Sequence, residues 1–375
     1  MKKETQCVQA GTLKDNQYQG LNSPLYTSTA YGYMDKEEVC YPRYFTTPNQ
    51  GAVVKKICAL EGAEDGLLFS SGMAAVSTTI LAHTRSGDHV ILLDDLYGGT
   101  HSMATADFER LGLEYDFVAT SLEAIMAAQK PNTTMVIIES PTNPLMNILD
   151  IKATADWARE NKITSLMDNT FGTSINQTPL ALGIDIVVHS GTKYMGGHSD
   201  VCCGFALASK KKMQPILDLA RHLGGSLDSF AAYLLERSLK TLAIRVERQC
   251  QNAQALAEFL EAHPKIVKVN YPGLPNFPGH DIAKKQMKLF GAMMSFELDE
   301  SIGDVDVFLR KLKVIHPAVS LGGVESSICS PKDTSHKPMT AEERARVGIS
   351  DFLLRLSIGI EHIDDLKEDI EQALT

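Results

Sequence analysis

From about residue 51 the chain alternates short apolar runs with stretches of helical spacing, and this alternation constrains its fold more than any other feature. The apolar runs are Leu67–Phe69, His89–Leu93, Met135–Glu139, Thr164–Met167, Asp185–Val188 and Gly204–Ala208. Between them lie segments with helical periodicity, such as Met73–Arg85, Gly98–Arg110 and Ile151–Asn161. A strand apolar at every position has no face to offer water. Short strands of this kind separated by helices predict an α/β fold, with a mostly parallel sheet covered by helices on both faces.

The flanks read differently. Residues 1 to about 50 are polar, rich in Tyr, Thr, Asn and Pro, and hold no sustained period, so they read as an extended arm. An amphipathic stretch from about Ser229 to His263 carries Leu234, Leu235, Leu239, Leu242, Val246, Leu256 and Leu260 on one face and reads as a connecting helix. Beyond it, strand candidates Met293–Leu298 and Leu353–Ile358 and a final helix Ile363–Leu374, introduced by His362, form a smaller C-terminal unit. At roughly 150 residues per domain, a chain of 375 residues holds two or three units. The expected division is an arm over 1–50, a large domain over 51–235 and a C-terminal domain over 236–375. The Pro/Gly-rich stretch Tyr271–Gly279 reads as a loop beside the site.

The formal net charge of −10 would repel a nucleic-acid backbone. The lysine run Lys210 to Lys212 reads as a solvated turn. No segment reaches the roughly 18 apolar residues of a membrane span, and the N-terminus lacks the apolar core of a signal peptide. Seven scattered cysteines without a C-x-x-C suit a reducing cytoplasm, so a cytoplasmic location is expected and the sequons at Asn132 and Asn176 are chance matches.

Chemistry-bearing residues gather where the apolar runs end. Ser71-Gly72-Met73 follows the first run and opens a helix, and Tyr97 begins the helix after the second. Asp168 closes the fourth, and Ser190, Thr192 and Lys193 follow the fifth. Singly, each has a plain reading: Ser71 as a helix cap, Asp168 as a turn former, Lys193 as a surface charge. Together they occupy the carboxyl edge of one sheet, where open α/β folds bind ligands. A helix start supplies N–H groups for a phosphate, a buried aspartate can hold a pyridine nitrogen protonated, and an aromatic face can stack on a ring. A lysine lowered from its usual pKa of ~10.4 can attack an aldehyde. No G-x-G-x-x-G is present, which leaves a nicotinamide site unsupported. Gly191-Thr192-Lys193 lacks the upstream glycine of a Walker loop, and His189, His198 and Asp200 are too loosely spaced for zinc.

The stretches ALEGAEDGLLFSSGMAA, DDLYGGT, ESPTNP, MDNTFGT, DIVVHSGTKYMGGHSD, YPGLP, AVSLGGVES and RLSIGIE resemble, in order, those of the Cys/Met-metabolism PLP-dependent enzymes. That family includes cystathionine β- and γ-lyases, cystathionine γ-synthase and methionine γ-lyase. The resemblance implies pyridoxal 5′-phosphate as cofactor. It also implies the fold type I (aspartate-aminotransferase-like) architecture, with a seven-stranded, mostly parallel sheet. Lys193 matches the lysine that carries the cofactor, Asp168 the partner of the pyridine nitrogen, and Tyr97 the stacking tyrosine. Gly72, Met73, Ser190 and Thr192 match phosphate ligands. Arg355 matches the arginine that grips the substrate carboxylate, with Ser320 and Asn143 beside it. Tyr41 and Arg43 match a Tyr-x-Arg pair that reaches the phosphate of a neighbouring subunit, which implies a homotetramer built from dimers with shared sites. Departures from the family pattern fall at the arm after Arg43, at Gly191, at Leu234-Leu235-Glu236-Arg237-Ser238 and at Thr334-Ser335-His336.

Members differ in whether they act at Cβ or Cγ. Those that act at Cγ of cystathionine often carry acids that meet its distal amino group. Here the corresponding positions are Val319 and Cys40, and the cysteine of methionine γ-lyases is Gly99. The expected activity is cleavage of L-cystathionine, with β-elimination to homocysteine, pyruvate and ammonia favoured over γ-lyase or γ-synthase chemistry. A binding or regulatory protein on the same fold is the reading from another class, and the joint presence of Lys193, Asp168, Tyr97 and Arg355 argues against it.

Overall fold

The computed structural model describes every residue except Ser335, His336, Pro338 and Met339, and also leaves out the side chains of Glu343, Ala345 and Arg346. Of the departure at Thr334-Ser335-His336, only Thr334 therefore falls among the described residues.

Seven strands form the large sheet: β1 (Asp65–Phe69), β2 (His89–Leu93), β3 (Glu114–Val118), β4 (Thr133–Glu139), β5 (Thr164–Asp168), β6 (Ile186–Ser190) and β7 (Gly204–Ala208). Their order is β1-β7-β6-β5-β4-β2-β3. Only β7 runs against its neighbours, pairing antiparallel with both β1 and β6. Because β7 reverses twice, β1 points the same way as β6, and the carboxyl ends of β1, β2, β4, β5 and β6 share one edge. The strand Glu114–Val118 was not expected. Its Glu-Tyr-Asp-Phe-Val pattern is half polar because β3 is an edge strand with no fully buried position.

The central strands are apolar throughout because both faces are covered. Every residue of β2 and β7 is buried. Alternate residues serve two cores: Leu67 and Phe69 pack with Ala206 on one side, and Leu68 packs with Phe205 and Leu207 on the other. A smaller sheet takes β8 (Ile266–Asn270), β9 (Met293–Leu298), β10 (His316–Pro317), β11 (Ser327–Cys329) and β12 (Leu353–Ser357) in the order β10-β11-β12-β9-β8.

Three expectations need correction. The first 50 residues are not wholly extended: α1 (Lys3–Gln9) is helical, and α2 (Pro48–Glu61) already begins within them. Seven residues are too few to hold a helix alone. Tertiary docking forms α1, which buries Cys7 and places the carbonyls of Cys7 and Val8 on the fully buried Lys56 Nζ, at 3.0 and 3.4 Å. The stretch from Ser229 is two helices, Ser229–Leu239 and Leu242–Glu261. The break is stabilised by the buried Arg245 guanidinium, which donates to Ser238 O at 3.0 Å and Tyr194 O at 2.7 Å. Lys210 to Lys212 form the first turn of a helix rather than a loop turn, with Lys210 and Lys211 exposed to solvent as expected.

Candidate active site

At the shared carboxyl edge lies a cavity of about 500 Å3. Ten of the twelve site residues expected from the sequence line it: Gly72, Met73, Tyr97, Asn143, Asp168, Ser190, Thr192, Lys193, Ser320 and Arg355. The remaining two, Tyr41 and Arg43, do not. The loop Tyr271–Gly279 is also absent from its walls; that loop borders a separate cavity with Ile266 to Val269.

Lys193 sits in the turn after β6. Its N–H donates to Ser190 O at 3.2 Å, and its carbonyl accepts from Gly197 N at 2.7 Å. Arg245 grips the next carbonyl, Tyr194 O, so the turn is held from beneath. A Cβ at Gly191 would lie 2.6 Å from Cys203 Sγ, so the neighbouring thiol fills the space a methyl would need. Lys193 Nζ donates to Ser320 Oγ at 2.8 Å. Burial pushes the Lys193 amine below its ordinary pKa, and the Arg355 cation adds to that.

Ser320 adopts φ +75°, which turns its hydroxyl toward Lys193 and its carbonyl toward Arg355. The strain is held by Gly322, also at positive φ, whose N–H donates to Ser357 Oγ at 2.8 Å. Arg355 on β12 is buried. Its Nη1 donates to Asn143 Oδ1 at 3.0 Å and its Nη2 to Ser320 O at 3.3 Å. Asn143 in turn donates its N–H to Asp95 O at 3.3 Å. The guanidinium is thus fixed at the cavity wall without a carboxylate partner among the described residues, a geometry suited to gripping an incoming one.

The anion cradle is built at the start of α3 (Gly72–His83). Ser71 caps this helix by accepting from Ala74 N at 3.1 Å, which leaves the N–H groups of Gly72 and Met73 without an intrahelical partner. A Cβ on residue 72 would stand 2.8 Å from Ser190 Cβ, so only glycine lets the helix start approach β6. Ser190 and Thr192 bring hydroxyls to the same corner, and Thr192 is fixed by Cys203 N–H at 3.0 Å. Tyr97 precedes α4 (Gly98–Leu111) and keeps 46% of its surface exposed. Its ring lies over Gly99, where a Cβ would meet Tyr97 Cε1 at 2.4 Å, so this tyrosine uses the room that a cysteine at 99 would need.

Two acids share the floor. Asp168 accepts from Thr170 N at 2.9 Å. Burial raises its pKa, while Thr170, His189 and Lys193 pull it back. Glu139, paired in register with Asp168 across β4 and β5, accepts from Tyr97 N at 2.9 Å. Burial and the neighbouring Asp168 push its carboxyl well above the ordinary range. Along the sequence Glu139 stands only as the end of the run Met135–Glu139 and within ESPTNP. The signal there is an acid closing an otherwise apolar strand, a position that only a site or a partner justifies. Thr170, Phe171 and Cys202 are likewise wall residues not singled out from the sequence.

Arg43 instead donates to Arg221 O and packs its guanidinium 5.0 Å from the Tyr44 ring centroid, beside a third cavity. His189 meets the buried Glu61 at 2.6 Å and His198 meets Gly196 O, so these histidines point to different partners.

These groups fit pyridoxal 5′-phosphate: a cradle that a Cβ would fill, N–H and hydroxyl donors for a phosphate, a carboxylate for a ring nitrogen, an aromatic face and a low-pKa amine. The comparisons with known proteins agree. The chain is 43% identical over 378 residues to a cystathionine gamma-lyase of Bacillus subtilis, covering 100% of this chain and 99% of that one. It is 45% identical over 330 residues to a cystathionine beta-lyase of the same organism, covering 88% and 84%. The crystal structure of cystathionine gamma-lyase from Lactobacillus plantarum, complexed with L-serine, superposes with a TM-score of 0.95 at 38% identity, covering 100% of this chain and 98% of that one. The sequence model of the Cys/Met metabolism PLP-dependent enzymes matches residues 4–375, and the chain belongs to that family.

Proposed function

We propose that this enzyme is a carbon–sulfur lyase that cleaves L-cystathionine by β-elimination to homocysteine, pyruvate and ammonia. In this reading Lys193 carries the cofactor. Gly72, Met73, Ser190 and Thr192 hold its phosphate, Asp168 its ring nitrogen, and Tyr97 its ring face. Bound there, pyridoxal 5′-phosphate supplies an electron sink for the pair left behind when the substrate α-proton is removed. Arg355 grips the substrate carboxylate, with Asn143 and Ser320 fixing the guanidinium. Lys193, released when substrate arrives, takes the α-proton; its lowered pKa keeps a fraction neutral and able to do so. The thiolate then leaves from Cβ, and no second proton need be removed.

The observation that carries this reading is Lys193 Nζ, 2.8 Å from Ser320 Oγ, on the wall shared with Arg355. One amine faces the place where the carboxylate end of the substrate is held. The preference for Cβ rests on Val319, an exposed apolar residue on that wall where an acid would greet a distal ammonium. The γ reading is supported by the 43% identity to a protein named cystathionine gamma-lyase. Incubating the cofactor-loaded protein with L-cystathionine separates the two. Pyruvate with homocysteine is expected; 2-oxobutyrate with cysteine would replace β- by γ-elimination.

The reading extends to a cytoplasmic homotetramer in which Tyr41 and Arg43 reach the cofactor phosphate of a neighbouring subunit. What supports it is the arm itself. Tyr33, Met34, Val39, Tyr41 and Tyr44 are all exposed, and Arg43 is absent from the walls of its own chain's cavity.

A further inference from the structure

We propose that Glu139 is a positioning residue that works as a neutral acid: it holds Tyr97 by its backbone N–H and leaves the negative charge of the floor to Asp168 alone. The inference rests on the reading of the cavity given above and goes beyond it, since Glu139 carries no role there.

The geometry argues for one proton between two carboxyls. Glu139 and Asp168 are register partners on adjacent parallel strands, so their side chains rise side by side from the same edge. Two buried carboxyls on neighbouring strand positions disfavour joint ionisation. The groups facing them decide which one keeps the charge. Asp168 has the Thr170 N–H at 2.9 Å, with His189 and Lys193 nearby. Glu139 is 4% exposed and has one protein donor among the described residues, Tyr97 N–H. Beside it stand Asp168 from β5, Asp95 from the loop after β2, and the Arg355 cation from β12. With two acids beside it and a single backbone N–H donated to it among the described residues, Glu139 is the carboxyl that takes the proton. Its pKa is displaced in the same direction.

A neutral Glu139 has two consequences. Its carboxyl oxygen still accepts from Tyr97 N–H, which fixes the residue that precedes α4 and with it the ring over the cavity. An ionised Glu139 would compete with an incoming substrate for Arg355, whereas a neutral one leaves that cation free to grip the substrate carboxylate.

The test uses the cofactor-loaded protein, whose visible absorption is recorded first; its absence would defeat the reading of the cavity, not this inference. The infrared difference between wild type and Glu139→Gln at neutral pH should then show the carbonyl band of a protonated carboxyl, shifting in heavy water. A carboxylate band in its place overturns the proposal. In turnover, Glu139→Ala should lower kcat/KM by about tenfold, the scale set by a buried N–H left without an acceptor. Glu139→Gln should recover most of that loss, because an amide is also a neutral acceptor. A Gln variant as impaired as the Ala variant would overturn the proposal, because it would mean that a charge, not a neutral acceptor, is needed.

Discussion

At Lys193 burial and a neighbouring cation act in the same direction, and the cost appears in stability. The folded chain holds the amine below its ordinary pKa of 10.5, so folding releases protons between the lowered value and 10.5, and stability rises with pH across that window. Lys193→Met removes the penalty. The cofactor-free variant should melt higher than wild type at neutral pH, with the advantage shrinking as pH approaches 10.5, and it should show no turnover. A constant advantage from pH 7 to 10 would mean that the lysine is not desolvated as described. Glu139 carries the opposite sign, because its raised pKa favours uptake of a proton on folding and its contribution weakens as pH rises above the carboxyl range. At this scale the sequence was legible wherever a residue type is unusual for its place. Asp168 closes an apolar strand and Lys193 follows one; Glu139 closes one as well, but its consequence depends on Asp168 lying one strand away. That pairing is a property of the sheet, and no spacing along the chain records it.

Among the elements, α3 does the most for the site, because its first turn must approach β6 closely enough to place two backbone N–H groups over the cavity. The Ser71-Gly72 start of this helix was visible from its cap residue and the apolar run before it. Gly72→Ala should keep the fold but weaken cofactor retention on the order of tenfold, since the added methyl meets Ser190 Cβ at 2.8 Å and overpacking of this kind costs about 1–3 kcal/mol. Equilibrium dialysis against pyridoxal 5′-phosphate measures it, and unchanged retention would remove the helix start from the phosphate site. The elements that sequence reading missed share one cause. Helix α1 exists because Lys56 and the core around Cys7 dock it, the break between Leu239 and Leu242 because Arg245 reaches back to Ser238, and β3 because an edge strand need not be apolar. Each is decided by a partner distant in sequence.

For the whole molecule, the alternation of strand and helix led to the right architecture because burial on both faces leaves a pattern strong enough to survive local exceptions. The single reversed strand, β7, left none, since a buried strand reads the same in either direction. Assembly belongs to this scale too. If Arg43 reaches a neighbouring subunit, Arg43→Ala should lower cofactor retention and shift the oligomer toward smaller species in sedimentation. Intact assembly with full cofactor would confine Arg43 to the contacts with Arg221 and Tyr44 seen within the chain.

Every role assigned around the cavity depends on one covalent attachment. Borohydride reduction of the loaded enzyme, followed by proteolysis and mass spectrometry, would fix the cofactor to whichever amine carries it. A single modified peptide, labelled at Lys193, is expected. A label on another lysine, or none on an enzyme that still turns over, would contradict it.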